Sequence, residues 1–172
     1  MKRRLLTLAL ALTLLCSACA VRQGSGQAGP PPEGQVSVYF LTDPDQPGGD
    51  GSVPAREFRV LPEDTGGVEG LIRLLLNGPE SLTLRSPFPQ GTALRAWRLE
   101  EGLVTIDLSE AYGGLSGVGL TLADACIVLT LCQLEEVDRV YLTVEGRPRP
   151  FRDQVMEPEQ FLLELEPVKE TM

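Results

Sequence analysis

The sequence predicts an α+β domain of two layers, in which two helices pack on one face of a mixed β-sheet. Three observations carry this prediction. Several short segments are β-branched or aromatic and alternate between apolar and polar residues, as strands do. Two longer segments have the apolar pattern of helices. The segments follow one another in the order ββ-α-ββ-α-β, and a domain of about 110 residues is large enough for one core.

The first half of the domain supplies two strands and one helix. Val36–Leu41 is β-branched and aromatic, and Arg56–Leu61 alternates polar with apolar residues, so each is a predicted strand. Asp64–Thr65 is the predicted cap of a helix whose apolar residues recur at positions i, i+3, i+4 and i+7. Asn77–Pro79 places a glycine before a proline and is therefore the predicted end of that helix.

The second half supplies a hairpin, a helix and a last strand. Thr92–Leu99 and Leu103–Leu108 flank Glu100–Gly102, which predicts a β-hairpin with alternate residues on opposite faces. Leu120–Leu134 has eleven apolar residues among fifteen and is a predicted core helix, because it is too short to span a membrane. Val137–Glu145 alternates again and is the predicted final strand.

The composition removes several classes of chemistry. The chain has no histidine, which excludes Ser-His-Asp and Cys-His nucleophile systems and zinc sites built on histidine. Its two lysines, Lys2 and Lys169, lie near the ends. With 24 acidic and 15 basic residues, the formal net charge of −9 repels a phosphate backbone, so we expect no nucleic-acid binding.

The glycine-rich segment Gly113–Gly119 sits between a strand and a helix, where phosphate-binding loops occur. Leu122 stands where the third glycine of such a loop belongs, and no basic residue occurs between Arg98 and Arg139. We therefore expect no nucleotide. No set of side chains has the spacing of a metal site either, so we expect no cofactor and no metal.

The N-terminus has the features of a secretory signal. Met1–Leu15 is basic and then apolar, over a length that is too short for a membrane span. Leu15–Cys19 is similar to a bacterial lipobox, so residues 1–18 are the predicted signal peptide and Cys19 is the predicted site of attachment of a diacylglycerol. The alternative is ordinary cleavage after Ala20, which would release a soluble protein.

This signal sets the expected organisation of the exported chain. Residues 19–35 form the lipid-anchor cysteine and a Gly- and Pro-rich tether. Residues 36–146 form the domain, and residues 147–172 form a C-terminal tail in which Glu157–Glu166 is a predicted short helix. Because two acyl chains are enough for stable attachment, we expect an exported protein anchored to the outer face of the cell membrane.

Two pairs of residues are candidates for chemistry. Cys126 and Cys132 lie six residues apart on one helix, beyond the reach of a disulfide, and are expected to be buried free thiols. Asp107 and Glu110, at a strand end, are the carboxylate pair that could act as acid and base in glycoside hydrolysis. The alternative for this pair is a capped strand end beside a surface charge.

Residues 36–146 resemble a GerMN domain. The resemblance rests on six motifs in the expected order: Val38–Phe40, Leu74–Pro79, Pro89–Thr92, Val104–Ser109, Leu129–Leu131 and Val140–Gly146. It implies a non-enzymatic envelope lipoprotein of sporulation, spore germination or cortex peptidoglycan, and the six motifs account for one such domain. It supplies no catalytic residues, and Asp107 and Ser109 of its Ile106–Ser109 motif are expected to be structural.

The expected mode of action is therefore contact with other proteins, as an assembly module. Arg95, Trp97 and Arg98, on the hairpin, are the candidate interaction surface. The expected partners are the membrane, through the N-terminal lipid, and other envelope or sporulation-complex proteins, while peptidoglycan and a second copy of the chain stay open. Two alternatives also stay open: a cell-wall hydrolase that uses Asp107 and Glu110, and a passive lipoprotein that binds a glycan or small ligand.

Overall fold

In the computed structural model, which describes residues 30–46, 53–62, 64–149 and 154–161, the described chain forms seven strands, three α-helices and one 3₁₀ turn. The strands are β1 (Gln35–Thr42), β2 (Pro54–Val60), β3 (Leu84–Arg85), β4 (Leu94–Glu100), β5 (Leu103–Leu108), β6 (Arg139–Val144) and β7 (Arg147–Pro148). The helices are α1 (Gly67–Asn77), α2 (Glu110–Gly113) and α3 (Gly117–Leu131), and the 3₁₀ turn is Pro158–Gln160. The short elements β3, α2 and β7 contain too few residues for a periodic pattern to predict them.

The α+β class is confirmed, but the strands form two sheets and not the one sheet predicted. The first sheet is antiparallel with order β2-β1-β3, and the second has order β4-β5-β6-β7 with β5 and β6 parallel. Side chains in the last turn of α3 and just after it explain the division, because they occupy the edge of β1 where a further strand would pair. Thr130 Oγ1 accepts a hydrogen bond from the Tyr39 N–H at 3.0 Å, and Gln133 Oε1 accepts one from the Ser37 N–H at 2.8 Å.

Helix α1 begins later than expected and ends as expected. Gly66, and not the predicted Asp64–Thr65, precedes the helix, and no side chain caps its first amides. The Thr65 hydroxyl donates instead to the Pro62 carbonyl oxygen at 3.2 Å, within the preceding turn. At the other end Gly78 follows the last helical residue with φ of 83°, so the predicted glycine stop is confirmed.

The predicted hairpin of β4 and β5 is confirmed. Glu101 and Gly102 have φ values of 49° and 76°, the pair of positive angles that a tight two-residue turn requires. A Cβ atom at Gly102 would collide with the carboxylate of Asp138, so the position needs glycine for its surroundings as well as for its backbone. The ladder is regular from the turn back to a bulge at Arg95.

Helix α3 lies three residues nearer the N-terminus than the predicted Leu120–Leu134. Its apolar run extends beyond its last helical turn because Leu134 packs against the core from a turn, in which its N–H donates to the Leu131 carbonyl oxygen at 3.1 Å. An apolar pattern reports burial, and here burial continues after the helix has ended.

The core lies where α1 and α3 pack against each other and against the apolar faces of both sheets. Its largest fully buried side chains are Phe40, Leu71, Leu75, Ile106, Leu108, Tyr112, Leu131, Leu142 and Met156. Within the described ranges, no helix is both long and apolar enough to cross a bilayer.

Several predictions fall on residues that the structure does not describe. The signal peptide, Cys19 and the tether up to residue 29 lie outside the described residues. So does half of the predicted tail helix Glu157–Glu166, whose described part contains the 3₁₀ turn.

Candidate functional site

Asp107 is held at the end of β5 by three donors. Alternation along β5 buries its apolar neighbours and turns Asp107 to the opposite face, as predicted. One carboxylate oxygen, Oδ1, accepts hydrogen bonds from the Thr143 hydroxyl at 2.8 Å and from the Gly146 N–H at 2.7 Å. The other, Oδ2, lies 3.5 Å from Nε of Arg95. The carboxylate therefore joins β4, β5, β6 and the turn after β6.

Ser109 links the start of α2 to the segment before β4. Its hydroxyl accepts a hydrogen bond from the Ala93 N–H at 2.9 Å and donates one to the Gly91 carbonyl oxygen at 3.0 Å. It does not cap the helix that it precedes. Both hydrogen bonds of the Ser109 hydroxyl join backbone groups of the same chain, which is typical of a structural residue. That Ser109 and Asp107 are purely structural stays a prediction.

Glu145 completes the cluster and was missed from the sequence. Its Oε2 lies 3.1 Å from NH1 of Arg95, and its Oε1 accepts a hydrogen bond from the Glu110 N–H at 3.0 Å, which satisfies the first amide of α2. A signal did exist: if β5 and β6 are parallel neighbours, the residues that follow them meet at one edge. The sequence alone does not determine which strands pair, so it assigns no role to Glu145. We refer to Asp107, Glu145 and Arg95 as the Asp107 cluster.

The contacts of Asp107 and Glu110 differ from those expected of a catalytic acid–base pair in a hydrolase. Both oxygens of Asp107 are engaged by groups of the same chain, and Glu110 is exposed and enters the cluster through its backbone N–H. A pair that works as acid and base needs carboxylates free to reach a substrate. The described residues also include no group of three or more acidic or cysteine side chains placed to hold a metal ion.

The three residues of the candidate interaction surface do not share one face. Arg98 pairs with Thr105, so it lies on the side of the sheet away from the helices, where Arg95 also reaches the Asp107 cluster. Trp97 pairs with the buried Ile106 and therefore lies on the helix side, where it is 40% exposed on the edge strand of the sheet.

A second polar cluster is buried in the domain. Asp124, inside α3, accepts a hydrogen bond from the Tyr112 hydroxyl at 2.6 Å and pairs with Arg149 at 3.0 Å. Burial raises the pKa of Tyr112 well above its usual value, and the neighbouring carboxylate of Asp124 raises it further. The sequence signal was Asp124 itself, because a charge inside an apolar helix requires a buried partner. We refer to these three residues as the Asp124 cluster.

The two cysteines are free, but only one is fully buried. Cys126 is buried and Cys132 is half-buried, which corrects the prediction of two buried thiols. Burial raises the pKa of Cys126 from 9.0 to about 12. Burial and then the charges of Glu159, Asp138 and Glu157 raise the pKa of Cys132 to about 11. Both thiols are therefore weak nucleophiles at neutral pH.

This fold places the chain among small α+β domains whose two sheets are covered by a shared pair of helices. The chain belongs to the Germane family, described as sporulation and spore germination, whose family model matches residues 37–150. The resemblance to a GerMN domain is thereby confirmed. The family is not a known family of enzymes.

Two solved structures are similar. The tandem GerMN domains of the sporulation protein GerM from Bacillus subtilis match with a TM-score of 0.55 and 22% identity, over 66% of this chain and 39% of that one. The first GerMN domain of the same protein matches with a TM-score of 0.54 and 17% identity, over 66% and 84%. At these identities the likeness shows the fold, and the match spans less than half of the tandem structure. A search of curated proteins finds no match.

Proposed function

We propose that this chain is an envelope lipoprotein that acts by binding other proteins during sporulation or spore germination. The observation that carries the proposal is the match of the Germane family to 37–150, nearly the whole described domain. The similar structures belong to a sporulation protein, which supports the same setting. In this proposal Cys19 carries the lipid, and the tether holds the domain at the outer face of the cell membrane.

Contact, and not turnover, is the proposed mode of action. Its support is the state of the Asp107 cluster, in which one carboxylate serves three internal donors. The exposed strand β4 beside this cluster offers a surface instead: four consecutive residues, Arg95–Arg98, are all exposed.

A deletion strain tests the proposal. Removing the gene from its own host should lower the yield of heat-resistant spores or slow their germination. Wild-type protein and Asp107→Asn should both restore the phenotype, because Asn keeps the hydrogen-bonding shape without the charge that a catalytic carboxylate needs. Cys19→Ala should not restore it, because that protein would lose its anchor.

Two results would contradict the proposal. One is a deletion strain without any effect on spore formation or germination. The other is catalysis: purified protein incubated with cortex peptidoglycan would release muropeptides, and the release would disappear in Asp107→Asn or Glu110→Gln while both variants stayed folded. That result would assign the carboxylates to a hydrolase.

A further inference from the structure

The outer edge of β4 has no strand beside it in the described part of the chain. Strand β4 pairs with β5 alone, through a two-residue turn that makes Glu100 and Leu103 a hydrogen-bonded pair. Hydrogen-bonded and non-hydrogen-bonded pairs alternate from there, so the N–H and C=O groups of Trp97 and Leu99 point away from β5. These are the groups that an added strand would bind.

A groove opens where the chain enters β4, a few residues before Trp97. It lies between α1 and residues 92–94, is open to solvent, and has a volume of about 360 Å³. Glu69, Arg73 and Leu76 contribute the helix wall, where Glu69 and Arg73 form an ion pair, and Thr92 and Leu94 contribute the opposite wall. An exposed strand edge next to a helix is the arrangement in which other domains bind an extended peptide as an additional strand.

The side chains along the edge define what such a strand would carry. Trp97 and Leu99 face the helix side, where apolar residues of the added strand would pack against them. Between them Arg98 faces the other side, with its guanidinium 3.5 Å from Glu100 and 66% of its side chain exposed. An acidic residue opposite Arg98 would add a second carboxylate to a guanidinium that is mostly exposed and that Glu100 contacts only at 3.5 Å.

We propose that the β4 edge binds an extended segment of a partner protein in which one acidic residue stands between two apolar residues. This rests on the proposed function, since it specifies how that protein contact is made. A second copy of the chain fits the edge poorly. Its own β4 offers Trp97, Arg98 and Leu99, so a cation would stand where the proposed segment carries its acidic residue.

The single tryptophan of the chain, Trp97, makes the test direct. Full-length protein in detergent micelles is titrated with a peptide that alternates Val and Glu, while tryptophan emission is recorded. The peptide should shift the emission, and the same peptide with N-methyl groups on alternate amides should not bind, because it lacks the donors for an added strand. A Val and Lys peptide should bind more weakly than the Val and Glu peptide.

Charge reversal supplies the matched comparison. Arg98→Glu should weaken the Val and Glu peptide by about tenfold and favour the Val and Lys peptide, because a like charge then stands opposite the acid. Arg147→Glu, an exposed arginine on β7 at the other end of the same sheet, should leave both affinities unchanged. Circular dichroism of both variants shows whether they are folded.

Three outcomes overturn the proposal. The first is no binding of the Val and Glu peptide to folded protein. The second is binding that N-methylation or Arg98→Glu leaves unchanged. The third is a dimer of the free chain in analytical ultracentrifugation that Arg98→Glu disrupts, because the occupant is then a second copy. The deletion-strain result is independent of all three, so a failure here is distinguishable from a failure of the proposed function.

Discussion

At the scale of single residues, the carboxylate of Asp107 connects β5 to β6, to the turn after β6 and to Arg95. It accepts two hydrogen bonds at the joint end of two parallel strands and faces Arg95, with 17% of its side chain exposed. Hydrogen bonds to a charged acceptor are worth about 1.5–3 kcal/mol each, more than those between neutral groups. The cluster therefore contributes to the stability of the sheet end whatever else it does.

Comparing Asp107→Asn with Asp107→Ala should separate the contribution of the hydrogen-bonding shape to stability from that of the charge. Asn keeps an acceptor for Thr143 and Gly146, so we expect a loss of about 1 kcal/mol in the free energy of unfolding. Ala leaves both donors without their acceptor, and we expect a loss of about 2–4 kcal/mol. Urea denaturation measures both, with the exposed Glu100→Gln as control. Equal losses for Asn and Ala would show that the charge alone matters.

The Asp124 cluster predicts a non-additive pair of substitutions. Asp124→Leu should cost about 3–5 kcal/mol, because it leaves the guanidinium of Arg149 buried without a counter-charge. Adding Arg149→Met removes that charge, so the double variant should be more stable than Asp124→Leu alone. Chemical denaturation of the four proteins in this cycle gives the coupling energy. A double variant that is less stable than the single one would contradict this account.

The buried thiol of Cys126 predicts a loss of stability at alkaline pH. The unfolded thiol loses its proton near pH 9.0, whereas the folded thiol keeps it up to about pH 12. The contribution is therefore complete below pH 9 and declines between pH 9 and 12, with a slope of up to about 1.4 kcal/mol per pH unit. Denaturation curves from pH 8 to 11 measure this slope.

Substitution separates Cys126 from the other groups that titrate in this range. Cys126→Ala should lower stability by about 1–2 kcal/mol at pH 7 as a core truncation, yet flatten the alkaline slope. Cys132→Ala is the matched control, since its thiol is half-buried and its pKa is raised less, to about 11. An unchanged slope in Cys126→Ala would assign the alkaline loss to other groups, Tyr112 among them.

At the scale of elements, Gln133 takes the place of a strand. Its amide accepts the Ser37 N–H at 2.8 Å and donates to the Ser37 carbonyl oxygen at 2.7 Å, the same two bonds that a neighbouring residue in a sheet would make. Together with Thr130 it closes the edge of β1 beyond the short strand β3. Helix α3 thus supports the first sheet through its edge as well as through its face.

Gln133→Ala should therefore open one strand edge locally. We expect a loss of about 1–3 kcal/mol, because two buried backbone groups lose their partners, and faster hydrogen exchange at the Ser37 amide. The exposed Gln160→Ala serves as control and should change neither quantity. Unchanged exchange at Ser37 in Gln133→Ala would show that the edge is protected by something other than this side chain.

The same elements show how far the sequence could predict the structure. The hairpin, both longer helices and the outward face of Asp107 follow from local periodicity and turn residues, and they were predicted. The division into two sheets depends on Thr130 and Gln133 reaching Tyr39 and Ser37, 91 and 96 residues away. The donors to Asp107 are 36 and 39 residues away. Contacts between distant residues leave no periodic pattern in the sequence, so these features could not be predicted from local sequence.

For the whole molecule, the decisive expectation is the anchor. If Cys19 is the lipid site, the exported protein should begin at Cys19, carry two acyl chains on its thiol and sediment with membranes. Intact mass and membrane fractionation measure both properties, with Cys19→Ala as the unanchored control. A mature chain that begins at an unmodified Val21 would contradict the anchor and leave a soluble exported domain.

The parallel pairing of β5 with β6 has a consequence for the order of folding. The hairpin of β4 and β5 closes over a two-residue turn, whereas β6 pairs with β5 only after residues 109–138 have crossed over and packed. Because closing that crossover carries a larger entropy loss, the hairpin should form early and β6 late. Thr143, Glu145 and Gly146 arrive with β6, so a nascent or partly folded chain displays the β4 edge before Asp107 has the hydrogen bonds from Thr143 and Gly146.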